Sequence, residues 1–130
     1  MSTVLLDTHV LHWWSAEPKR LSRAATTAIS SADELAVSAI TWYELAWMAA
    51  HERILVTIPV RSWLEQLSAE VRTIGVTPAV ADTAVGLPSS FPGDPADRLI
   101  FATAVEHGWR LVTKDSRLLQ HPHPRSVALW

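Results

Sequence analysis

Apolar positions along the chain switch repeatedly between two periods, and the switches mark out strands alternating with helices. Thr3-Val4-Leu5-Leu6 is a short apolar run ending at Asp7, after which Val10, Leu11 and Trp14 fall at helical spacing. This predicts a strand and then a helix. Pro18, Lys19 and Arg20 interrupt the pattern, and the alanine-rich residues 21–31 predict a second helix. Leu35-Ala36-Val37 reads as the second strand, with Ser38 as the N-cap of a long helix over residues 39–53. Ile54-Leu55-Val56 leads to a break near Pro59, a helix over residues 60–70 and a third strand over 71–76. Thr77-Pro78 supplies a cap and a first-turn proline for a short helix ending near Gly86. Residues 87–93 read as loop, Asp94-Pro95 opens another helix, and Gly108 closes it. A fourth strand over 109–113, a short helix over 115–119, an irregular tail at residues 121–124 and an edge strand over 127–130 complete the pattern. Such alternation predicts one α/β domain over residues 1–130, its central, mainly parallel β-sheet flanked by α-helices.

Composition narrows what such a domain does. A chain of 130 residues with 48% hydrophobic residues buries one sizeable core and is too short for two ordinary domains. The absence of cysteine excludes a disulfide framework, a thiolate zinc site and a cysteine nucleophile, and suits a reducing compartment. No stretch approaches the roughly 18 unbroken apolar residues of a membrane span, and residues 1–12 lack the pattern of a secretion signal. The expectation is a soluble cytoplasmic protein. A net charge of −2 argues against a surface that clamps nucleic acid as a whole, yet it is compatible with a carboxylate site that bound cations neutralise. Seven tryptophans in so small a chain point to a partner surface as well as a core.

In an open parallel sheet, ligands bind beyond the carboxyl ends of the strands. Asp7 and Asp115 both follow predicted strands there, and Asp97, in the first turn of the helix before the fourth strand, can reach the same rim. Glu44 shares a helical stripe with Ile40, Trp47 and Met48, which turns it inward. An inward carboxylate is costly unless a cation or hydrogen bonds compensate it. One divalent ion would serve several at once, and hard oxygen ligands without cysteine suit Mg2+ or Mn2+. Each residue also has a plainer reading. Asp7 fits a turn, Asp115 a helix cap, Asp97 the positive end of a helix dipole, and Glu44 an ordinary solvated glutamate. Asp94 reads as an N-cap, while Thr8 and Thr113 suit either capping or support of the acids. Arg98 reads as a structural partner of an acid ahead of a phosphate contact, and Arg110, Lys114 and Arg117, clustered near Asp115 where a phosphate backbone would approach, read as solvated surface ahead of binding residues. Trp13, Trp14 and Trp47 read as core or, where exposed, as a groove for a partner helix.

Four segments in order carry a family resemblance: Val4-Leu-Leu-Asp7-Thr8-His9, Ser38-Ala-Ile-Thr-Trp-Tyr-Glu44-Leu45, Asp94-Pro-Ala-Asp97-Arg98 through Ala104, and Leu111-Val-Thr113-Lys-Asp115. With these the chain resembles PIN-domain ribonucleases, specifically VapC-type toxins of toxin–antitoxin pairs. The resemblance implies magnesium-dependent endoribonuclease activity leaving 5′-phosphate and 3′-hydroxyl ends. It also implies a VapB-type antitoxin as partner, a homodimer, and no specific DNA binding by this chain itself. Asp7, Glu44, Asp97 and Asp115 match the family's acidic quartet. A housekeeping RNA-processing or DNA nuclease of the same fold, and a non-catalytic binding module, remain alternatives at this point.

Overall fold

In the computed structural model, which describes residues 2–122 and 126–130, the chain folds into five strands and seven helices. The order is β1 (Thr3–Leu6), α1 (Thr8–Ala16), α2 (Arg23–Ser31), β2 (Glu34–Ser38), α3 (Ile40–Ala50), α4 (Val60–Ser68), β3 (Arg72–Ile74), α5 (Pro78–Gly86), α6 (Pro95–His107), β4 (Arg110–Val112), α7 (Ser116–Leu119) and β5 (Ala128–Leu129). A short 3-10 turn at Pro18–Arg20 links α1 to α2. The strands form one parallel sheet in the order β3-β2-β1-β4-β5. Of the residues 121–124 read as an irregular tail, 123 and 124 lie outside the described residues.

Period-two alternation divides the strands between two cores, as a sheet covered on both faces requires. Val4, Leu6, Val37 and Val112 pack with Val10, Leu11, Leu45 and Leu67 on one side. Leu5, Ala36 and Leu111 pack with Ile100, Phe101 and Ala104 of α6 on the other. Leu5 and Leu6 of the central strand are both wholly buried. Their burial fixes β1, and therefore the position of the residue that follows it.

The chain grows outward from β1 to β2 and β3, then returns to place β4 on the opposite side of β1. The strand order reverses between β1 and β4, and such a reversal opens a crevice at the carboxyl ends of the strands. Leu6 pairs with Val112, and the Asp7 amide donates to the Val112 carbonyl at 3.0 Å. Asp7 and Thr113 are thereby held side by side at the mouth of that crevice.

Several elements are a residue or more shorter than the sequence reading, and both ends of α3 show why. Ser38 is the last residue of β2, opposite Ile74, so ladder pairing delays α3 to Ile40; the Ser38 hydroxyl still accepts from the Ile40 amide at 3.4 Å. At its other end α3 stops at Ala50, short of the expected 53. Glu52 turns left-handed there (φ 55°), and the Arg53 amide donates back to the Met48 carbonyl at 2.8 Å. This is a helix stop made without glycine.

Candidate metal centre

Asp7 caps α1, and each of its oxygens is held by a donor from a different segment. Oδ1 accepts from the Thr8 amide at 2.8 Å, and Oδ2 accepts from the Thr113 hydroxyl at 2.6 Å. Asp7 is only 9% exposed. Burial pushes its pKa up, against the lowering effect of those two bonds. Glu44 projects from α3 and accepts a 2.5 Å bond from the Thr8 hydroxyl, which lies 3.0 Å from that of Thr41. Burial raises the Glu44 pKa first, and the nearby charges of Asp7 and Asp94 add to it. Thr8 and Thr113 thus support the carboxylates, and the Thr113 hydroxyl also accepts from the Asp115 amide at 3.0 Å, so both readings open for Thr113 hold.

The sheet rim brings the other two acids to the same place. Asp94 caps α6 through Oδ1, which accepts from the amides of Ala96 and Asp97, and so it sets Asp97 in the first turn. Burial, followed by the charges of Asp94 and Asp7, raises the Asp97 pKa to about 6. Asp115 caps α7 and accepts from the Arg117 amide at 2.9 Å, and bonding to Arg117 holds its carboxyl below the usual range. Asp7, Glu44, Asp97 and Asp115 all line one cleft of about 560 Å³, together with Thr8, His9, Trp13, Asp94, Lys114 and Arg117.

The structure differs from the sequence reading at three side chains. Glu44 does turn away from open solvent, but Trp47 of the same stripe is 42% exposed; the stripe borders a cleft and is not sealed in a core. Arg98 pairs with no acid among the described residues. Its guanidinium instead donates to the carbonyls of Ala84, Leu87, Pro88, Phe91 and Pro92, pinning the loop that leads to Asp94. Arg117 is not idle surface. It reaches Asp97 Oδ2 at 3.1 Å and Asp115 Oδ2 at 2.6 Å. The sequence sets it in a basic cluster near Asp115 but gives no sign of the bridge to Asp97, because that placement depends on α7 lying beside the start of α6. Thr41 was likewise invisible, one hydroxyl in a helix turn.

A hard divalent cation fits this donor set. It needs oxygen ligands, and the cleft offers carboxylates that are partly stripped of water and repel one another. Among the described residues, no three acidic or histidine side chains are already gathered into a metal-ligating cluster. Between Asp97 and Asp115 stands a guanidinium instead.

A PIN-domain family model matches residues 4–123 of this chain, which includes all four acids. The chain is a PIN domain of the VapC type. It is 71% identical to Ribonuclease VapC22 of Mycobacterium tuberculosis (strain ATCC 25618 / H37Rv) over 130 residues, covering the whole of both proteins. Among solved structures, this PIN domain resembles a chain of a toxin–antitoxin complex from Klebsiella pneumoniae (TM-score 0.70, 21% identity, 98% of this chain and 96% of that one). It also resembles a chain of VapBC2 from Rickettsia felis bound to a DNA fragment from their promoter (TM-score 0.68, 16% identity, 92% and 93% covered). At those identities the two structures speak for the fold alone.

The raised pKa of Asp97 has a measurable consequence in this PIN domain. Because the folded pKa lies above the ordinary value of 3.8, its contribution to metal-free stability is complete below about pH 4 and is lost as pH rises through about 6. Asp97→Asn removes that dependence. In EDTA, thermal melts of the variant and the parent should therefore diverge as pH rises from about 4 to about 6 and stay apart above it, with the variant the more stable. Parallel curves would show that Asp97 is not strained in the folded state.

Proposed function

We propose that this PIN domain is the endoribonuclease toxin of a toxin–antitoxin pair and hydrolyses RNA phosphodiesters with Mg2+, Mn2+ being the alternative ion. One observation carries the reading: four carboxylates from four separate segments line a single cleft at the strand-order reversal, and burial raises the pKa of three of them. Family membership and the identity to a named VapC ribonuclease support it independently. Asp7, Asp97 and Glu44 are the residues that would hold the ion, with Asp115 the fourth acid beside them. When bound, the ion supplies charge for the phosphoryl oxygen and lowers the pKa of an attacking water.

The chain's own residues do the remaining work. Thr113 and the Thr8 amide fix the orientation of Asp7, and the Thr8 hydroxyl fixes that of Glu44. Such outer hydrogen bonds hold ligands in place before an ion arrives. Lys114 and Arg117 bring positive charge to the cleft wall, where a phosphate backbone has to approach.

A VapB-type antitoxin is the partner in this reading. Beside the acidic cleft lies a second one of about 560 Å³, lined by Ile40, Tyr43, Trp47, Met48 and Arg53, and the two share His9, Glu44 and Asp94. Tyr43 is 67% exposed, so an apolar helix has an anchor there and reaches the acids from it. Pairing of two copies rests on the family resemblance alone. No helix among the described residues is long and apolar enough to cross a membrane. On this reading the protein would act on cellular RNA in the cytoplasm.

The test is cleavage of total RNA by the purified protein with Mg2+, Mn2+ or EDTA, followed by sequencing of the new 5′ ends. Cleavage that stops in EDTA and leaves 5′-phosphates is expected. Undiminished cleavage in EDTA, or 5′-hydroxyl ends, would overturn the mechanism.

A further inference from the structure

A cation already belongs to this site. The Arg117 side chain is 60% exposed, so little packing holds it, and its hydrogen bonds to the acids set its position. Its backbone amide and Nε both donate to Asp115 Oδ1, at 2.9 and 3.1 Å, while Nη2 donates to Asp115 Oδ2 at 2.6 Å. Both oxygens of Asp115 are thereby engaged by one residue. From this tether Nη2 extends to Asp97 Oδ2 at 3.1 Å. Asp115 holds Arg117 in a paired grip, whereas Asp97 holds it by a single longer bond.

That asymmetry says which contact yields. Only the Arg117 side of this pair is largely exposed, at 60% against 16% for Asp97, and solvent screening from that side leaves the single bond weak beside the attraction of a divalent ion for the same carboxylate. The Asp115 grip is bidentate and reinforced by the backbone, so it survives loss of the Asp97 bond. A guanidinium has five donors in a planar fork that matches a phosphate as well as a carboxylate, and this one lines the cleft that a phosphodiester would enter.

The geometry points to a double role for Arg117, resting on the metal-nuclease reading above. Without a divalent ion it is the counter-cation of Asp97. With the site loaded it is released from Asp97, stays gripped by Asp115, and binds the RNA phosphate. Asp115 is then a positioning residue for Arg117.

Two equilibrium measurements on the full chain test this, neither of them a turnover assay. The first is calorimetric Mn2+ binding to the parent protein, Arg117→Gln, Arg117→Lys and Asp97→Asn. Removing the competitor should let Arg117→Gln bind Mn2+ about fivefold tighter or more, the equivalent of one partly screened ion pair. The second is fluorescence anisotropy of a labelled mixed-sequence RNA oligonucleotide with Ca2+ replacing Mg2+, RNA integrity being checked on a gel. There Arg117→Gln should bind more weakly, and its log affinity against log salt should be shallower by about 0.7, one phosphate contact to a single strand. Arg117→Lys keeps the charge and should keep the slope. Absence of either shift in Arg117→Gln, while the parent binds Mn2+ and Asp97→Asn does not, overturns the role of Arg117 alone. Failure of the parent to bind Mn2+ at all overturns the metal-nuclease reading, and this inference with it.

Discussion

Asp7→Asn protein is expected to fold, to melt in EDTA at or above the temperature of the parent, and to lose RNA cleavage by more than about 100-fold. The loss should exceed the 10- to 100-fold that outer hydrogen-bonding partners of a metal ligand typically contribute, because the ligand itself is replaced. Folding should survive because the change is nearly isosteric. The asparagine oxygen still accepts from the Thr8 amide, and its NH2 can donate to the Thr113 hydroxyl, which then turns its own proton elsewhere. Stability in EDTA should not fall, because the folded pKa of Asp7 is raised and the charged form is disfavoured at neutral pH. Function and metal-free stability thus pull in opposite directions at one residue. Cleavage kinetics and EDTA melts on the same preparation check this. Cleavage within a few-fold of the parent would remove Asp7 from the site.

The second large effect is on stability and lies outside the acidic cleft. Arg98→Ala should cost about 3 kcal/mol, since charge-assisted hydrogen bonds contribute about 1.5–3 kcal/mol each and are not additive. The guanidinium caps carbonyls at Ala84, Leu87, Pro88, Phe91 and Pro92 and lies 5.6 Å from the centre of the Phe91 ring. Without it, the end of α5 and the loop to α6 lose a side chain that gathers five of their carbonyls. Arg98→Lys should recover little, because an ammonium lacks the planar fork that reaches several acceptors at once. Urea titration should place the Arg98→Ala midpoint about 1–3 M lower, given slopes of about 1–3 kcal/mol per molar for small proteins. A midpoint close to that of the parent would mean that Phe91, itself 2% exposed, holds the loop by packing alone.

Arg98 and Arg117 also mark the limit of what a linear reading can reach. Local signals carried the elements. Thr77-Pro78 and Asp94-Pro95 announced helix starts, Gly108 (φ 69°) announced a stop, and apolar runs announced the strands, because capping and periodicity depend on near neighbours in the chain. The four acids were legible for a related reason, since each sits beside such a signal, at a strand end, a helix start or on a helical stripe. By contrast, Ser38 looked like a helix cap until pairing with β3 kept it in the ladder.

The sequence by itself determined the α/β alternation, the four acids proposed for the site that prove to line one cleft and, through four ordered motifs, the family. Only the tertiary structure decided that Thr113 holds Asp7 across 106 positions, that Thr8 holds Glu44 across 36, and that Arg117 lies between Asp97 and Asp115. It also decided that Arg98 serves a loop and that Trp47 looks outward while Trp13 is buried. The physical reason is common to all of these. A side chain's partner is set by which strand ends and helix starts the sheet order brings together, and hydrophobic periodicity carries no information about where a hydroxyl or guanidinium will find its acceptor.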